Sequence, residues 1–390
     1  MKLAIVISHP IQHFCPQYAS LAHHPLLEVK VFFASALGFK KYIDPNFKRE
    51  ISWGNLKLDQ FDHQFLNGEV ILPADKALDA PALDDALDLF KPDMLVLHGY
   101  FQKFQRRAYR WGTKKKVKMA YVSDSEQRQK RGGVKEWIKS MYVKKYFSGI
   151  DLFLTVGDAN EEYYRQHHVP AGKMVRMHFS IDRALYRKAH KEKKELADRV
   201  RAQYDIPPGD IVISVVGKLV EWKNQGDIIA AIKALERQGV FFHLLIIGSG
   251  ETMETLKNQA SGLGGAKIYF PGFVNPEDLP GYYAASDIYI HPASVEPHSL
   301  AISEAIYMGC PAIISDRCGS YGPSDDVQEG KNGYVYRCGD IPDLAAKISS
   351  LCKNVDRMMQ FGEYSHKLGV EFQERSHGGF VRDMIEKAGL

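Results

Sequence analysis

The chain of 390 residues is poor in cysteine, with only Cys15, Cys310, Cys318, Cys338 and Cys352. Their number is odd and no C-x-x-C pair occurs. That argues against a disulfide framework or a zinc ribbon and for a reducing cytoplasm. No run approaches the roughly 20 apolar residues that a bilayer span requires. The opening Met1 to Pro10 has a charge and a short apolar run but no small-residue cleavage site, so it reads as a buried strand rather than a signal peptide. No large excess of one charge exists: 51 Lys and Arg face 47 Asp and Glu, a net of +4. No internal repeat or low-complexity segment appears. The Walker loop is absent, and Met253 occupies the third glycine position of what would otherwise approach a dinucleotide fingerprint. With no D-x-D and no histidine–carboxylate cluster at ligand spacing, no metal and no cofactor are expected.

What is present is an alternation. Apolar residues make up 45% and charged residues 25%, the balance of a soluble globular protein. Short apolar runs at Leu3 to Ser8, Val29 to Phe33, Met94 to His98, Val117 to Val122 and Asp151 to Val156 are separated by helical segments. Such runs predict a parallel sheet with helices on both faces. Residues 40 to 70 show no period and read as irregular. A charged stretch from Lys188 to Arg201, ended by Pro207-Pro208-Gly209-Asp210, reads as a connection. A second alternation follows, with strands at Ile211 to Val216, Phe242 to Ile247, Lys267 to Phe270, Asp287 to His291, Ala312 to Ser315 and Gly333 to Tyr336. The predicted organisation is a first domain over 1–180, a linker over 181–207 and a second domain over 208–365. A helical segment over 366–390 packs back on the first domain. Two doubly wound α/β domains facing each other make a cleft between the carboxyl ends of their strands.

The residues with chemical content cluster at strand ends of the second domain. In Glu296-Pro297-His298-Ser299-Leu300-Ala301-Ile302-Ser303-Glu304, two carboxylates bracket a predicted helix N-terminus. The unpaired amides of His298, Ser299 and Leu300 at such an end attract an anion such as a diphosphate, while carboxylates accept hydrogen bonds from sugar hydroxyls. The loop Gly217-Lys218-Leu219-Val220-Glu221-Trp222-Lys223 brings two lysines to one place, with a glycine that lets a ligand approach the backbone. Ile247-Gly248-Ser249-Gly250-Glu251 and Pro271-Gly272-Phe273-Val274 end the next two strands. Taken singly, each is ordinary turn chemistry.

Taken in order, these elements resemble a retaining glycosyltransferase of the GT-B fold, family 4, from about 208 to 340 and more weakly before that. The resemblance implies two Rossmann-like domains, a nucleotide diphosphate sugar as donor with UDP favoured over GDP, and a glycan or lipid-linked acceptor. It implies that Lys218 and Lys223 hold the diphosphate and that Glu296 contacts the donor sugar. Glu304 takes the ribose hydroxyls, the amides of His298 to Leu300 complete the phosphate site, and Gly217, Gly248 and Val274 lie along the nucleotide. Three departures stand out. Lysine 218 replaces an arginine and loses a bidentate fork on phosphate. The first loop carries His9-Pro10-Ile11-Gln12-His13 instead of paired glycines. Where relatives carry a histidine near the donor sugar, this chain has Ser123-Asp124-Ser125-Glu126. Asp124 or His98 stands in that role, with His13 a further acceptor-side candidate. A nucleotide-sugar-binding scaffold and a nucleotide-sugar epimerase on the same fold remain as alternatives.

Residues 101 to 147 hold fifteen Lys or Arg against three Asp or Glu, interleaved with nine aromatics. This composition suits either solvated helices or an anionic membrane surface, and nucleic acid much less. The expectation is a cytoplasmic enzyme, either free or peripheral on the cytoplasmic face of a membrane.

Overall fold

Two parallel sheets form from the short aliphatic runs in the computed structural model, which describes residues 1–40, 42–44, 49–51, 56–128 and 134–390. The first sheet has seven strands in the spatial order Asp62–Phe65, Glu28–Phe33, Lys2–Ile7, Met94–His98, Lys118–Val122, Leu152–Thr155 and Met174–Arg176. The second has six: Lys267–Gly272, His243–Ile247, Val212–Val216, Ile288–His291, Ala312–Ser315 and Gly333–Tyr336. The central strands are covered on both faces, and the period of two assigns each residue to one layer. Leu3, Ile5 and Ile7 enter one core of the first domain, Ala4 and Val6 the other. Val212 and Val216 divide from Ile213 and Val215 in the same way.

Three segments differ from the sequence reading. Residues 40 to 70 include a strand, Asp62–Phe65, which pairs in parallel with Glu28–Phe33. Its polar, partly exposed side chains are those of a sheet edge, so it lacks the apolar run that marks an inner strand. Residues 41, 45–48 and 52–55 of that stretch lie outside the described residues. The short edge strand Met174–Arg176 also escaped notice. The charged connection is helical, over Arg183–Lys191 and Lys193–Gln203. Tyr186, Ala189 and Val200 bury themselves in the second domain's core while the charges face water.

The chain crosses between the domains twice. The helix Val355–Glu374 runs unbroken through Gly369. A Cβ there would stand 2.8 Å from the Tyr307 Cα, so the glycine permits close packing against the helix Leu300–Tyr307. The break comes at Gly378, whose φ of 131° favours glycine. Beyond it, Phe380, Val381 and Met384 of the last helix join the first domain's core beside Leu3 and Ile5.

In each sheet the strand order reverses beside the central strand, between Lys2–Ile7 and Met94–His98 and between Val212–Val216 and Ile288–His291. These switch points are where open α/β sheets bind ligands. Residues following all four strands line one shared space.

Candidate functional site

A cavity of about 520 Å³ lies between the domains. Ile11, His13, Phe14, His98, Asp124 and Phe179 line it from the first domain, and Gly217, Lys223, Glu296, His298, Ser299 and Leu300 from the second.

The second-domain wall is built on charge. The strand Ile288–His291 ends with Tyr289 and His291 turned into a buried chain of hydrogen bonds. Tyr289 Oη lies 3.0 Å from His291 Nδ1, and His291 Nε2 lies 2.9 Å from Glu296 Oε2. A neutral imidazole protonated on Nε2 satisfies both, accepting from tyrosine and donating to the carboxylate. Burial keeps His291 below its ordinary value, in agreement. Lys223 Nζ donates to the same Glu296 oxygen. Burial alone would push the Glu296 carboxyl up, but His291 and Lys223 hold it at about 2. The loop is fixed by its backbone as well. Gly319 N–H donates to Glu296 C=O at 2.8 Å, and Ser294 N–H to Trp222 C=O at 2.8 Å, tying Glu296 to the lysine loop.

Gly217, in the cavity wall, has a φ of 154°. Gly248 supports it from behind: a Cβ there would stand 1.8 Å from Gly217 O. Its absent side chain therefore serves loop packing. Lys218 accepts a hydrogen bond on its carbonyl from Gln225 Nε2 at 3.0 Å. Val274 packs against the second domain's core. Neither Lys218, Gly248 nor Val274 lines the cavity.

The helix Leu300–Tyr307 begins at the cavity with Ser299 as its cap. The expectation of three free amides needs correction, because Ser299 N–H donates to Ser320 Oγ at 3.0 Å. The loop at 319–321 folds over the helix start and satisfies that donor. The amides of Leu300 and Ala301 have no protein acceptor among the described residues and remain for an anion. Glu304 lies just beyond the cavity lining and accepts from Tyr283 Oη at 2.9 Å, with Tyr186 beside it. Burial among these phenols pushes its carboxyl up to about 7.

His298 is a further buried polar group of this wall. Its Nε2 lies 3.4 Å from Asp325 Oδ1 and 3.7 Å from Asp326 Oδ2. Burial opposes its charge, but the two carboxylates and Asp124 raise its pKa overall. Asp325 accepts the Asp158 amide at 2.7 Å, and Arg176 Nη2 donates to Asp158 at 2.7 Å. The cluster thus bonds the second domain to the first. The sequence reading found no histidine–carboxylate group at ligand spacing. This one escaped because residues 298 and 325–326 converge only in the fold.

The first-domain wall carries little charge. His13 packs edge-on to Phe179 at 5.4 Å, and His98 Nε2 lies 3.0 Å from Tyr18 Oη. Burial holds both imidazoles at about 3, hence neutral. Asp124 is the exception. Its side chain faces the open cleft, yet the surrounding protein raises its carboxyl, with His298 pulling down and Glu296 pushing up. Asn160 Nδ2 fixes its loop by donating to Ser125 C=O at 2.8 Å.

The sequence signalled Glu296 and Lys223 but missed His291, Asp325, Asp326 and Arg176. His291 had a usable signal, a histidine closing an apolar strand immediately before a proline. The two aspartates sit in a loop with no period and gave none.

Comparison with known proteins agrees with this fold. Residues 197–368 match the family described as glycosyl transferases group 1. The chain is similar to the putative glycosyltransferase EpsD of Bacillus subtilis, 23% identical over 369 residues, covering 88% of this chain and 93% of that one. It is 30% identical over 191 residues to the lipopolysaccharide core biosynthesis glycosyltransferase LpsE of Rhizobium meliloti, covering 49% of this chain and about half of that one, 52%. The crystal structure of Anabaena Alr3699/HepE in complex with UDP superposes with a TM-score of 0.72 at 14% identity, over 99% of this chain and 100% of that one.

Proposed function

We propose that this group 1 glycosyltransferase, two Rossmann-like domains in the GT-B arrangement, moves a hexose from a nucleotide diphosphate sugar to an acceptor hydroxyl with retention at the anomeric carbon. UDP is the favoured carrier, and the HepE complex with UDP supports that choice. A glycan or lipid-linked acceptor of surface polysaccharide or glycolipid synthesis is the favoured partner, in keeping with LpsE, a lipopolysaccharide core biosynthesis glycosyltransferase. One observation carries the reading. Glu296 is held ionised by Lys223 and His291 in the cavity wall, beside the amides of Leu300 and Ala301.

In this assignment Lys223 and the two amides receive the departing diphosphate, supplying fixed positive charge where negative charge grows. Glu296 orients the sugar hydroxyls. The bond from the anomeric carbon to the phosphate oxygen breaks, and the acceptor oxygen bonds to that carbon on the same face. The acceptor's proton passes to the leaving phosphate oxygen, so no protein base is required. Lys218 assists the diphosphate and Glu304 takes the ribose. Asp124, His13 and His98 face the acceptor side, where neutral imidazoles accept or donate hydrogen bonds without competing for the diphosphate.

The reaction uses no metal in this reading. Turnover persists in excess chelator, and its loss there with recovery in magnesium or manganese would contradict the assignment. Mass spectrometry of the protein with a panel of UDP, GDP and ADP sugars tests the function. Released nucleotide with a glycosylated acceptor supports transfer. An epimerised donor marks an epimerase, and a bound, unchanged donor marks a binding scaffold.

We assign the protein to the cytoplasmic face of a membrane. Among the described residues no helix is long and apolar enough to cross one. On the first domain, however, Trp137, Ile138, Met141 and Tyr142 stand exposed along one helix, Val134–Ser148. Apolar side chains rimmed by lysine and arginine are the pattern of an interfacial contact. Lys130 and Arg131 of this basic stretch lie outside the described residues, as do the side chains of Lys135 and Glu136.

A further inference from the structure

A second cavity, of about 340 Å³, lies along the same helix that borders the cleft. Phe14, just before the helix Cys15–Ala22, lines the first cavity, and Pro16, Ala19 and Ser20 line the second. Among the described residues its remaining wall is basic: Lys57, Arg183 and Arg187 are cations, His23 and His377 add imidazoles, and Asp182 is the one carboxylate.

That carboxylate is already satisfied. Lys57 Nζ lies 2.8 Å from Asp182 Oδ2, and Asp182 Oδ1 caps the helix Arg183–Lys191 by accepting from Leu185 N–H at 3.2 Å. Arg183 and Arg187 stand four positions apart on that helix and so share a face. Among the described residues no carboxylate lies in ion-pair range of either. His377 Nδ1 is committed to the Gln373 carbonyl at 2.9 Å, which leaves Nε2 uncommitted. Two guanidinium groups without acceptors among the described residues, converging on a cavity of ligand size, match the planar forks that bind phosphate oxygens.

The place in the fold is also distinctive. Residues 182–187 follow the first crossing between the domains, and His377 sits in the second. Gln373 joins the two crossings, its Oε1 accepting Ile181 N–H at 2.9 Å and its Nε2 donating to Phe179 C=O at 3.0 Å. Gln17 Nε2 ties the helix Cys15–Ala22 to the second crossing through Ser376 C=O at 2.9 Å.

We propose that this cavity is a second anion site that binds a small phosphorylated solute, of the size of pyrophosphate or a sugar phosphate, on Arg183, Arg187 and Lys57. The site is separate from the donor site, and the proposal stands whether or not the donor assignment does. A bound anion bridges the first domain, through Lys57, to the linker helix, through the two arginines. It therefore adds a tie beside the two crossings.

Inorganic pyrophosphate is the probe, titrated calorimetrically into the full chain in the presence of saturating UDP. One binding event is expected. Arg187→Glu and Arg183→Ala each weaken it at least tenfold, while Lys223→Ala in the cleft leaves it unchanged. Arg187 is exposed, so its replacement spares the core, and circular dichroism checks the fold of each variant. No event, or an event lost in Lys223→Ala and kept in Arg187→Glu, overturns the proposal. A parallel arm compares soluble glycerol phosphate with phosphatidic acid vesicles. Arginine-dependent binding to glycerol phosphate supports a soluble anion, and binding to vesicles alone overturns that assignment.

Discussion

Apart from the Arg176 pairs with Asp158 and Glu161, the two domains use charge in opposite ways. The second keeps it inside and paired: Glu296 with Lys223 and His291, and His298 with Asp325 and Asp326. The first displays it outside: Lys103, Arg106, Arg110 and Lys114 along one helix have no carboxylate in ion-pair range among the described residues. Its cleft-facing histidines are neutral. A buried pair is costly to form, but once formed it presents charge in a fixed geometry with little screening. A surface charge is cheap, mobile and damped by salt within about 10 Å. Under the proposed function, the second domain's wall would serve to stabilise one leaving group, and the first domain's outer surface to attract an extended anionic partner loosely.

If the contrast holds, the largest effects belong to the buried pair. Glu296→Gln and Lys223→Ala each lower kcat/KM by roughly 10²–10³-fold, the scale of losing one charge-stabilising group in an active site. The variants keep native circular dichroism, because the loop stays pinned through Gly319 and Ser294. Near-normal rates in both variants would remove the donor-site assignment. Glu304→Ala raises the donor KM, since its place one turn and a half into the helix puts it at the ribose in the proposed pose.

A smaller effect separates the two glutamates by pH. Glu304 titrates at about 7 in the folded protein, above the ordinary value near 4.5. Its neutral form is favoured by folding, so its contribution to stability is full below pH ~4.5 and is lost as pH rises through about 7. Between pH 4 and 8 the unfolding free energy of Glu304→Gln gains roughly 2–3 kcal/mol relative to the unsubstituted protein. Glu296, held at about 2, behaves in reverse. Its contribution is present above pH ~4.5 and is lost as pH falls toward 2, so Glu296→Gln flattens the acid limb instead. Urea unfolding across this range measures both, and identical pH profiles for the two variants would refute the opposed environments.

The same contrast explains what could be read from the sequence. Inner strands such as Leu244 to Ile247 are apolar on both faces, so they announced the fold. The edge strand Asp62–Phe65 is half wet and did not. Glu296 and Glu304 were conspicuous because a helix start lies between them. His291, Asp325 and Arg176 take their roles from partners 5 to 149 positions away, as in Glu296 for His291 and Asp325 for Arg176. Lys188 to Arg201 looked like a linker because its few buried residues, Ala189 and Val200 among them, are outnumbered by charges.

The smallest effect per residue is expected on the first domain's surface, where charges act only in sum. Not all fifteen cations of residues 101 to 147 are available. Arg107 is spent on Asp79 and Asp84, Lys115 on Asp88 and Lys118 on Asp151. Arg128 is turned inward, donating to the carbonyls of Cys318 and Tyr321 across the domain boundary. Each remaining Lys or Arg near an anionic leaflet contributes about 1 kcal/mol. Burying exposed Trp137 and Met141 in the interface adds roughly 1.5–3 kcal/mol each at most. Flotation with acidic vesicles should therefore recover the protein at low salt and release most of it at high salt. Trp137→Ser with Met141→Ser weakens partition at least tenfold at any salt, whereas Arg107→Gln, whose charge is already paired, changes it little. Should the protein stay unbound with acidic lipid at low salt, the exposed cations are a solvated face, and the contrast between the domains reduces to the cleft alone.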